Sequence, residues 1–140
     1  MVECQKSGKK GYLDTPNFAL KKDIQIIKEI VDKLGIGIVA NNYYALSLSD
    51  DYIIGWGLNV YNNVTASIYG KPCMTAESQT LENKVDAPYM TLRHCPIKEH
   101  VGGSCDKCLY KEGYKYLTDD GKVMKLSRKK LSTCTFYLTK

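Results

Sequence analysis

The sequence predicts an α/β protein in which βα units of a parallel sheet come first and a cysteine-rich loop and a β-hairpin follow. Three observations lead to this prediction. An amphipathic helix lies between short apolar segments, polar residues collect where those segments end, and an Asp-Gly turn separates two β-rich segments late in the chain. With 44% hydrophobic and 25% charged residues, the 140-residue chain has an ordinary globular composition.

The clearest element is a helix that follows the polar segment Thr15-Pro16-Asn17. Gly11–Asp14 is a short strand candidate before it, and Asn17 is predicted to be the N-cap of the helix. Gly35 is predicted to end the helix, because glycine readily adopts the left-handed conformation found after many helices. Apolar residues at spacings of three and four form one helical stripe, namely Leu20, Ile24, Ile27, Val31 and Leu34.

Short apolar segments follow the helix, and we predict that they are strands of a parallel sheet. Residues 36–40 are continuous, apolar and β-rich, as in a strand that is buried on both faces. Residues 64–69 are predicted to form a short helix. The remaining strand candidates are Tyr52–Val60, Cys73–Ala76 and Pro88–Leu92.

Polar residues follow nearly every predicted strand. In (β/α) barrels the active site lies at the carboxyl ends of the strands, so these residues are candidates for the lining of a cavity. Because a complete barrel needs about 250 residues, we expect this chain to be at most the second half of a barrel. The rest would come from a longer polypeptide or from a second chain. The residues at this level are Asp14, Asn17, Asn41, Asn42, Asn59, Asn62 and Glu77.

The pattern changes after the last cysteine-rich segment. Tyr114–Thr118 and Lys122–Leu126 flank Asp119-Asp120-Gly121, and the Asp-Gly pair predicts a β-hairpin. We therefore predict two regions of different character. Residues 1–92 hold the second-half barrel units, and residues 93–140 hold the cysteine loop and the basic β-hairpin.

The positive charge is concentrated in the second region. Residues 1–90 carry nine Lys or Arg and ten Asp or Glu, whereas residues 91–140 carry eleven and five. Such an excess attracts polyanions, and RNA is a candidate partner for the Lys/Arg-rich residues 107–130. A solvated lysine-rich surface without a partner is the alternative interpretation.

Four cysteines of the second region form a candidate metal site. Cys105 and Cys108 form a Cys-x-x-Cys pair in a polar, glycine-containing loop, where they have no apolar stripe to pack against. Cys95 precedes this loop, and the last predicted strand, Thr133–Leu138, brings Cys134 back towards it. Thiolates suit zinc and iron–sulfur clusters alike, and the spacing alone leaves both open.

The remaining soft ligands have simpler interpretations. Cys4 and Cys73 are interpreted as small hydrophobic residues of the scaffold. His94 or His100 could replace a cysteine in a zinc site. The simpler interpretation is that His94, which adjoins Cys95, points to the opposite side of the strand as a hydrogen-bonded histidine and that His100 is exposed. No nucleophile with a neighbouring base can be identified, so catalytic residues stay unknown.

Several motifs in this order resemble the collagenase-like peptidase family U32. They are Gly57–Asn62, Thr75–Glu77 and Met90–Pro96, followed by the Cys-x-x-Cys pair and a closing cysteine. The resemblance is to the later part of that family's catalytic region and covers nearly the whole chain from about Gly11 onward. The order of the motifs carries the resemblance, since each motif alone is common.

The resemblance implies a TIM-barrel-like fold and a four-iron, four-sulfur cluster. Cys95, Cys105 and Cys134 match cysteines of the family, and Cys108 would supply the fourth thiolate. Some members of the family are described as peptidases, and others take part in oxygen-independent hydroxylation of RNA or of a quinone precursor. The residues that would line the substrate site are Asn59, Asn62, Glu77 and Arg93.

Two other functions stay open from the sequence. One is a peptide hydrolase without cluster chemistry, and the other is a non-catalytic, zinc-bound module that binds RNA or protein. We expect a cytoplasmic protein without a membrane partner, since Met1–Lys6 carries charge and no apolar run is long enough to span a bilayer. We also expect this chain alone to lack the complete catalytic barrel.

Overall fold

The computed structural model describes residues 7–76, 81, 85–95, 98–99, 102, 114–117, 120–132 and 134–139, with the backbone alone at residues 114–117. Helices and strands are mixed, as predicted, and the strands form two small sheets. The chain divides into two compact units, Met1–Asp86 and Ala87–Lys140. The predicted boundary between residues 92 and 93 stays a prediction about domain organisation.

The first unit is built on a parallel sheet. Strands β1 (Tyr12–Asp14), β2 (Gly37–Ala40) and β3 (Tyr52–Ile54) lie side by side in that order, and β2 is the central strand. Ile38 and Ala40 of β2 are fully buried, which confirms the prediction of a buried parallel strand at 36–40. An isolated parallel bridge joins Ile54 to Cys73, where the sequence predicted a further strand.

Helix α1 (Lys21–Leu34) packs on this sheet through the predicted stripe. Ile27 and Val31 are buried in one cluster with Ile38, and Gly35 follows the helix with a φ of 57°, as predicted. The prediction that Asn17 is the N-cap is wrong. Leu20 occupies that position, and the side chain of Asp23 accepts a hydrogen bond from its backbone N–H at 3.2 Å.

The segment after β3 is less extended than predicted. The strand expected over Tyr52–Val60 ends at Ile54, and a short 3₁₀ helix (Trp56–Leu58) follows it. The chain turns there because Gly55 approaches the carboxamide of Asn41 so closely that a Cβ would overlap it. Helix α2 (Asn63–Tyr69) then forms as predicted.

The second unit is an antiparallel sheet with the strand order β4-β7-β6-β5. The strands are β4 (Met90–Leu92), β5 (Tyr114–Leu117), β6 (Val123–Lys130) and β7 (Cys134–Thr139). The pairing of β5 with β6 and of β6 with β7 confirms the predicted hairpin and the returning last strand. Leu126 and Phe136, at most 2% exposed, are buried on adjacent strands of this sheet.

One strand belongs to a different sheet from the one predicted. The sequence placed Pro88–Leu92 in the parallel sheet, but Met90–Leu92 pairs antiparallel with β7 in the second unit. Its periodicity identified a strand, and the identity of the partner strand is set by tertiary pairing, which a local pattern does not contain.

Among the described residues, no helix is long and apolar enough to cross a membrane. The predicted cytoplasmic location stays a prediction.

Candidate functional site

Asn41 is the centre of the polar edge of the parallel sheet. It follows β2 directly, and only 2% of it is exposed. Its Nδ2 donates to Oδ1 of Asp14 at 2.6 Å and to the carbonyl oxygen of Thr15 at 2.7 Å, while its Oδ1 accepts from the backbone N–H of Gly57 at 3.4 Å. Both amide hydrogens are thus used within the protein. Asn41 ties together the segments that follow three strands.

A buried threonine extends the same network. Oγ1 of Thr15 donates to the carbonyl oxygen of Val39 at 2.7 Å and accepts from the backbone N–H of Asn41 at 3.2 Å. The same carbonyl oxygen of Val39 also accepts from the backbone N–H of Thr15 at 3.1 Å, so Thr15 binds the end of β2 through both its side chain and its backbone. Thr15 is 1% exposed. It therefore acts as a structural connector between the ends of β1 and β2.

The neighbouring asparagines also bind backbone groups. Nδ2 of Asn42 donates to the carbonyl oxygen of Asn17 at 2.6 Å, and its Oδ1 accepts from the N–H of Tyr43 at 2.6 Å. The hydroxyl of Tyr44 donates to the carbonyl oxygen of Pro16 at 2.5 Å. These bonds hold the loops after β1 and β2 against each other. Many polar side chains at this edge of the sheet therefore form hydrogen bonds that hold the edge itself together.

The predicted substrate-lining residues differ in their local structural roles. Asn62 caps helix α2, and its Oδ1 accepts from the backbone N–H of Thr65 at 2.9 Å. Asn59 is exposed and adopts a positive φ of 51°, a conformation that asparagine tolerates better than most residues. Arg93 is exposed in the second unit, just after β4. Glu77 lies outside the residues that the structure describes.

Cys73 lies in a small apolar cluster with Ile54 and Val60. Burial raises the pKa of its thiol, because a thiolate would lose hydration there. The pKa of nearby Tyr69 is raised by its hydrogen bond with Tyr43 and by partial burial. These features agree with the interpretation of Cys73 as a packed scaffold cysteine.

The structure also contains an open cleft of about 440 Å³ at the opposite, amino end of β3. Asp50 and Asp51 line it beside the loop before β3, and Lys28 and Asp32 of helix α1 form an ion pair of 3.4 Å at its rim. None of the predicted site residues lines this cleft. It is separate from the polar edge at the carboxyl ends of the strands.

Cys95 and Cys134 of the second unit are placed by strand pairing. Leu92, three residues before Cys95, pairs with Phe136, two residues after Cys134. Cys95 therefore follows β4, and Cys134 begins β7, at the same end of the β4–β7 pair. Both are half-buried, and neither forms a disulfide. A thiol in this setting is accessible to a soft metal ion.

One residue adjoins Cys95 in sequence, and another pairs with Cys134 in the sheet. His94 is exposed, precedes Cys95 directly and lies beyond Leu92, the last residue of β4 that pairs with β7. On the other side of β7, Cys134 pairs with Lys130 of β6.

The other two predicted ligands, Cys105 and Cys108, lie outside the described residues, as does His100. Within the part of the chain that the structure describes, no group of three or more His, Cys, Asp or Glu is arranged to hold a metal ion. That search covers two of the four predicted thiolates. The ligand set stays a prediction.

Sequence reasoning missed the importance of Thr15 and Thr75. Both are at most 2% exposed, and Oγ1 of Thr75 donates to the carbonyl oxygen of Val60 at 2.7 Å. Threonine at the end of an apolar segment is a common turn or strand residue, so neither residue differs from its surroundings in the sequence. Their position directly after or within predicted strands is the only signal that could have identified them.

Comparison of the chain with protein-family models, with curated proteins and with solved structures finds no match.

Proposed function

We propose that this chain is the later part of a U32-type protein and that its second unit holds a four-iron, four-sulfur cluster through Cys95, Cys105, Cys108 and Cys134. The observation that carries the proposal is the β4–β7 register, which places Cys95 and Cys134 at the same end of one sheet. Two thiols that are far apart in sequence are thereby available to one soft metal centre.

The chemistry of the donors fits such a group. Cys95 and Cys134 are half-buried thiols without a disulfide, and the described strands around them contain no acidic side chain that would compete as a hard ligand. When bound, the cluster would supply one-electron chemistry. The protein residues would hold it through thiolates at the end of the sheet, with Lys130 beside Cys134 to offset negative charge.

The first unit fits a barrel segment in its coarse features. Its strands are parallel and follow each other in sequence order, which is the arrangement of neighbouring strands in (β/α) barrels. We propose that the missing strands come from the rest of a longer polypeptide or from a second chain. Asn59, Asn62, Glu77 and Arg93 would then contribute to the substrate site.

Within this proposal the reaction is peptide hydrolysis or oxygen-independent hydroxylation of an RNA or of a quinone precursor. The lysine-rich second unit favours the nucleic acid over the other substrates. Its strands carry Lys115, Lys125, Arg128, Lys129 and Lys130 and no Asp or Glu. This chain alone is expected to be inactive, since part of the proposed barrel must be added.

The test is purification under anaerobic conditions with iron, sulfide and zinc analysis and a visible absorption spectrum. The proposal predicts a brown protein with iron and sulfide in about equal amounts, as in thiolate-held clusters. A colourless protein with one tightly held zinc would contradict the cluster. It would support a second candidate, a zinc-bound module in which a histidine such as the exposed His94, directly before Cys95, replaces one thiolate.

A further inference from the structure

The strands of the second unit combine an unusual number of cations with an absence of acids. β5 contains Lys115, and β6 contains Lys125, Arg128, Lys129 and Lys130. None of the four strands contains Asp or Glu. A sheet surface that serves solubility alone mixes both signs of charge, so this sheet has the composition of an anion-binding surface.

Alternation along β6 divides these cations between two faces. Lys125, Ser127 and Lys129 lie on one face, with Thr139, Tyr137 and Thr135 as their register partners on β7. We call this set the basic face. The opposite face contains Leu126 and Phe136, which are buried, and it carries Arg128 and Lys130 near one end. On the basic face the side chains of Lys125 and Lys129 are exposed, whereas their neighbours Thr135 and Tyr137 on β7 are buried.

In the sheet, Lys115 of β5 is the register partner of Lys125 of β6. The strands that carry these cations contain no acid, so their composition favours a phosphate or another anionic group as the ligand.

An exposed aromatic residue precedes β4, the edge strand of the same sheet. Tyr89 precedes β4 and is 59% exposed, and its backbone N–H donates to the carbonyl oxygen of Leu138 at 2.8 Å. Its backbone is thus held by the sheet while its ring is accessible. Nζ of Lys129 lies 5.4 Å from the ring centre of Tyr137, which directs this lysine over the basic face.

We propose that the basic face binds single-stranded nucleic acid, with Lys125 and Lys129 on phosphates and a base stacked on Tyr89. Proteins bind single-stranded nucleic acid with two elements, cations that follow the phosphate backbone and exposed aromatic rings on which the bases stack. The proposal rests on the proposed function and places the binding site for its nucleic-acid partner on one face of the second unit's sheet. It is independent of the metal centre, because the basic face contains none of the proposed ligands.

The test uses fluorescence anisotropy of a labelled oligouridine of about 12 nucleotides, a length within the site sizes of single-strand-binding domains. The full chain is titrated at several salt concentrations. The double variant Lys125→Gln/Lys129→Gln should lower the affinity and reduce the slope of log K against log salt by about 1.4, since each lost phosphate contact on a single strand contributes about 0.7.

Adjacent lysines on opposite faces provide the matched control. Lys129→Gln and Lys130→Gln remove the same charge from neighbouring positions of one strand. The proposal predicts a several-fold larger loss of affinity for Lys129→Gln, and retention of affinity in Lys129→Arg, which keeps the charge. Tyr89→Ala should weaken binding about tenfold, and Tyr89→Phe should not, because stacking needs the ring and not the hydroxyl.

Three results would overturn the proposal. Equal losses for Lys129→Gln and Lys130→Gln would show binding by overall charge, and preference for a duplex of the same length would identify a different ligand. Absence of binding at low salt would exclude the face as a nucleic-acid site. Thermal unfolding and iron content are measured on the same variants, and the basic-face variants should change neither. A failure of nucleic-acid binding can therefore be distinguished from a failure of the metal proposal.

Discussion

The two units use polar side chains in opposite ways. In the first unit the buried Asn41 and Thr15 form hydrogen bonds with backbone groups and with the side chain of Asp14 at the carboxyl ends of the strands. In the second unit Cys95, Cys134 and the strand lysines lie at the end or on the surface of a sheet without acidic residues. Residue type and position at a strand end therefore do not by themselves define a functional site. The polar groups must also be free of hydrogen-bond partners within the protein if they are to bind a ligand.

Removal of a proposed metal ligand should have the largest effect. Cys134→Ser should abolish most of the iron bound by anaerobically purified protein, because the cluster would lose one of its four thiolates. Cys73→Ser is the control from the first unit, since Cys73 is packed with Ile54 and Val60. Iron and sulfide analysis of both variants checks this prediction. Equal iron in the two variants would remove Cys134 from the ligand set.

Asn41→Ala should destabilise the first unit by about 3 kcal/mol, because several buried backbone and side-chain groups would lose their partner. Urea unfolding followed by the fluorescence of Trp56, the single tryptophan and a residue of this unit, measures the change. Asn63→Ala at the exposed start of α2 is the control and should shift the stability by less than about 0.5 kcal/mol. A small effect of Asn41→Ala would mean that its hydrogen bonds are replaced by water.

Gly55→Ala should cost about 2 kcal/mol, since the added methyl group would overlap the carboxamide of Asn41 and force it to move. Gly11→Ala is the control, because a Cβ at Gly11 has no atom within 4 Å and φ there is not positive. The same urea titration compares the two variants. If Gly55→Ala and Gly11→Ala unfold at one urea concentration, the close approach to Asn41 does not constrain the fold.

The smallest effect concerns thiol reactivity in the metal-free protein. Burial raises the pKa of Cys73, so at pH 8 it should be alkylated about tenfold more slowly than Cys95 or Cys134, and its rate should increase as the pH rises. Because the neutral thiol is favoured in the folded state, the associated stability is lost as the pH rises through the folded-state pKa. Peptide mapping by mass spectrometry measures the three rates. Equal rates would mean that Cys73 is accessible.

Periodicity predicted the elements that local sequence determines. The centre of the helix α1 stripe, the buried strand β2 and the Asp-Gly hairpin are each encoded within fewer than twenty residues, and each is confirmed. The last residue of the predicted stripe, Leu34, is 38% exposed. The pairing partner of Met90–Leu92 was predicted wrongly because a three-residue strand contains no information about which sheet accepts it. The early end of β3 depends on Asn41, fourteen residues away in sequence from Gly55.

The candidate site divides in the same manner. The sequence predicted that the last strand returns Cys134 towards Cys95, but the pairing of β4 with β7, which places both cysteines at one end of a sheet, could not be predicted from it. The role of Asn41 could not be predicted either, because its partners lie far from it in sequence, Asp14 at the end of β1 and Gly57 in the 3₁₀ helix after β3. A side chain's free hydrogen-bonding capacity is a property of the folded chain.

The most direct measurement of the metal proposal is X-ray absorption at the iron and zinc edges of the anaerobically purified chain, compared with its Cys134→Ser variant. The account predicts iron with sulfur neighbours only and a nearby second iron, and loss of this signal in the variant. Zinc bound by sulfur at about 2.3 Å together with a histidine nitrogen, and no iron, would contradict it.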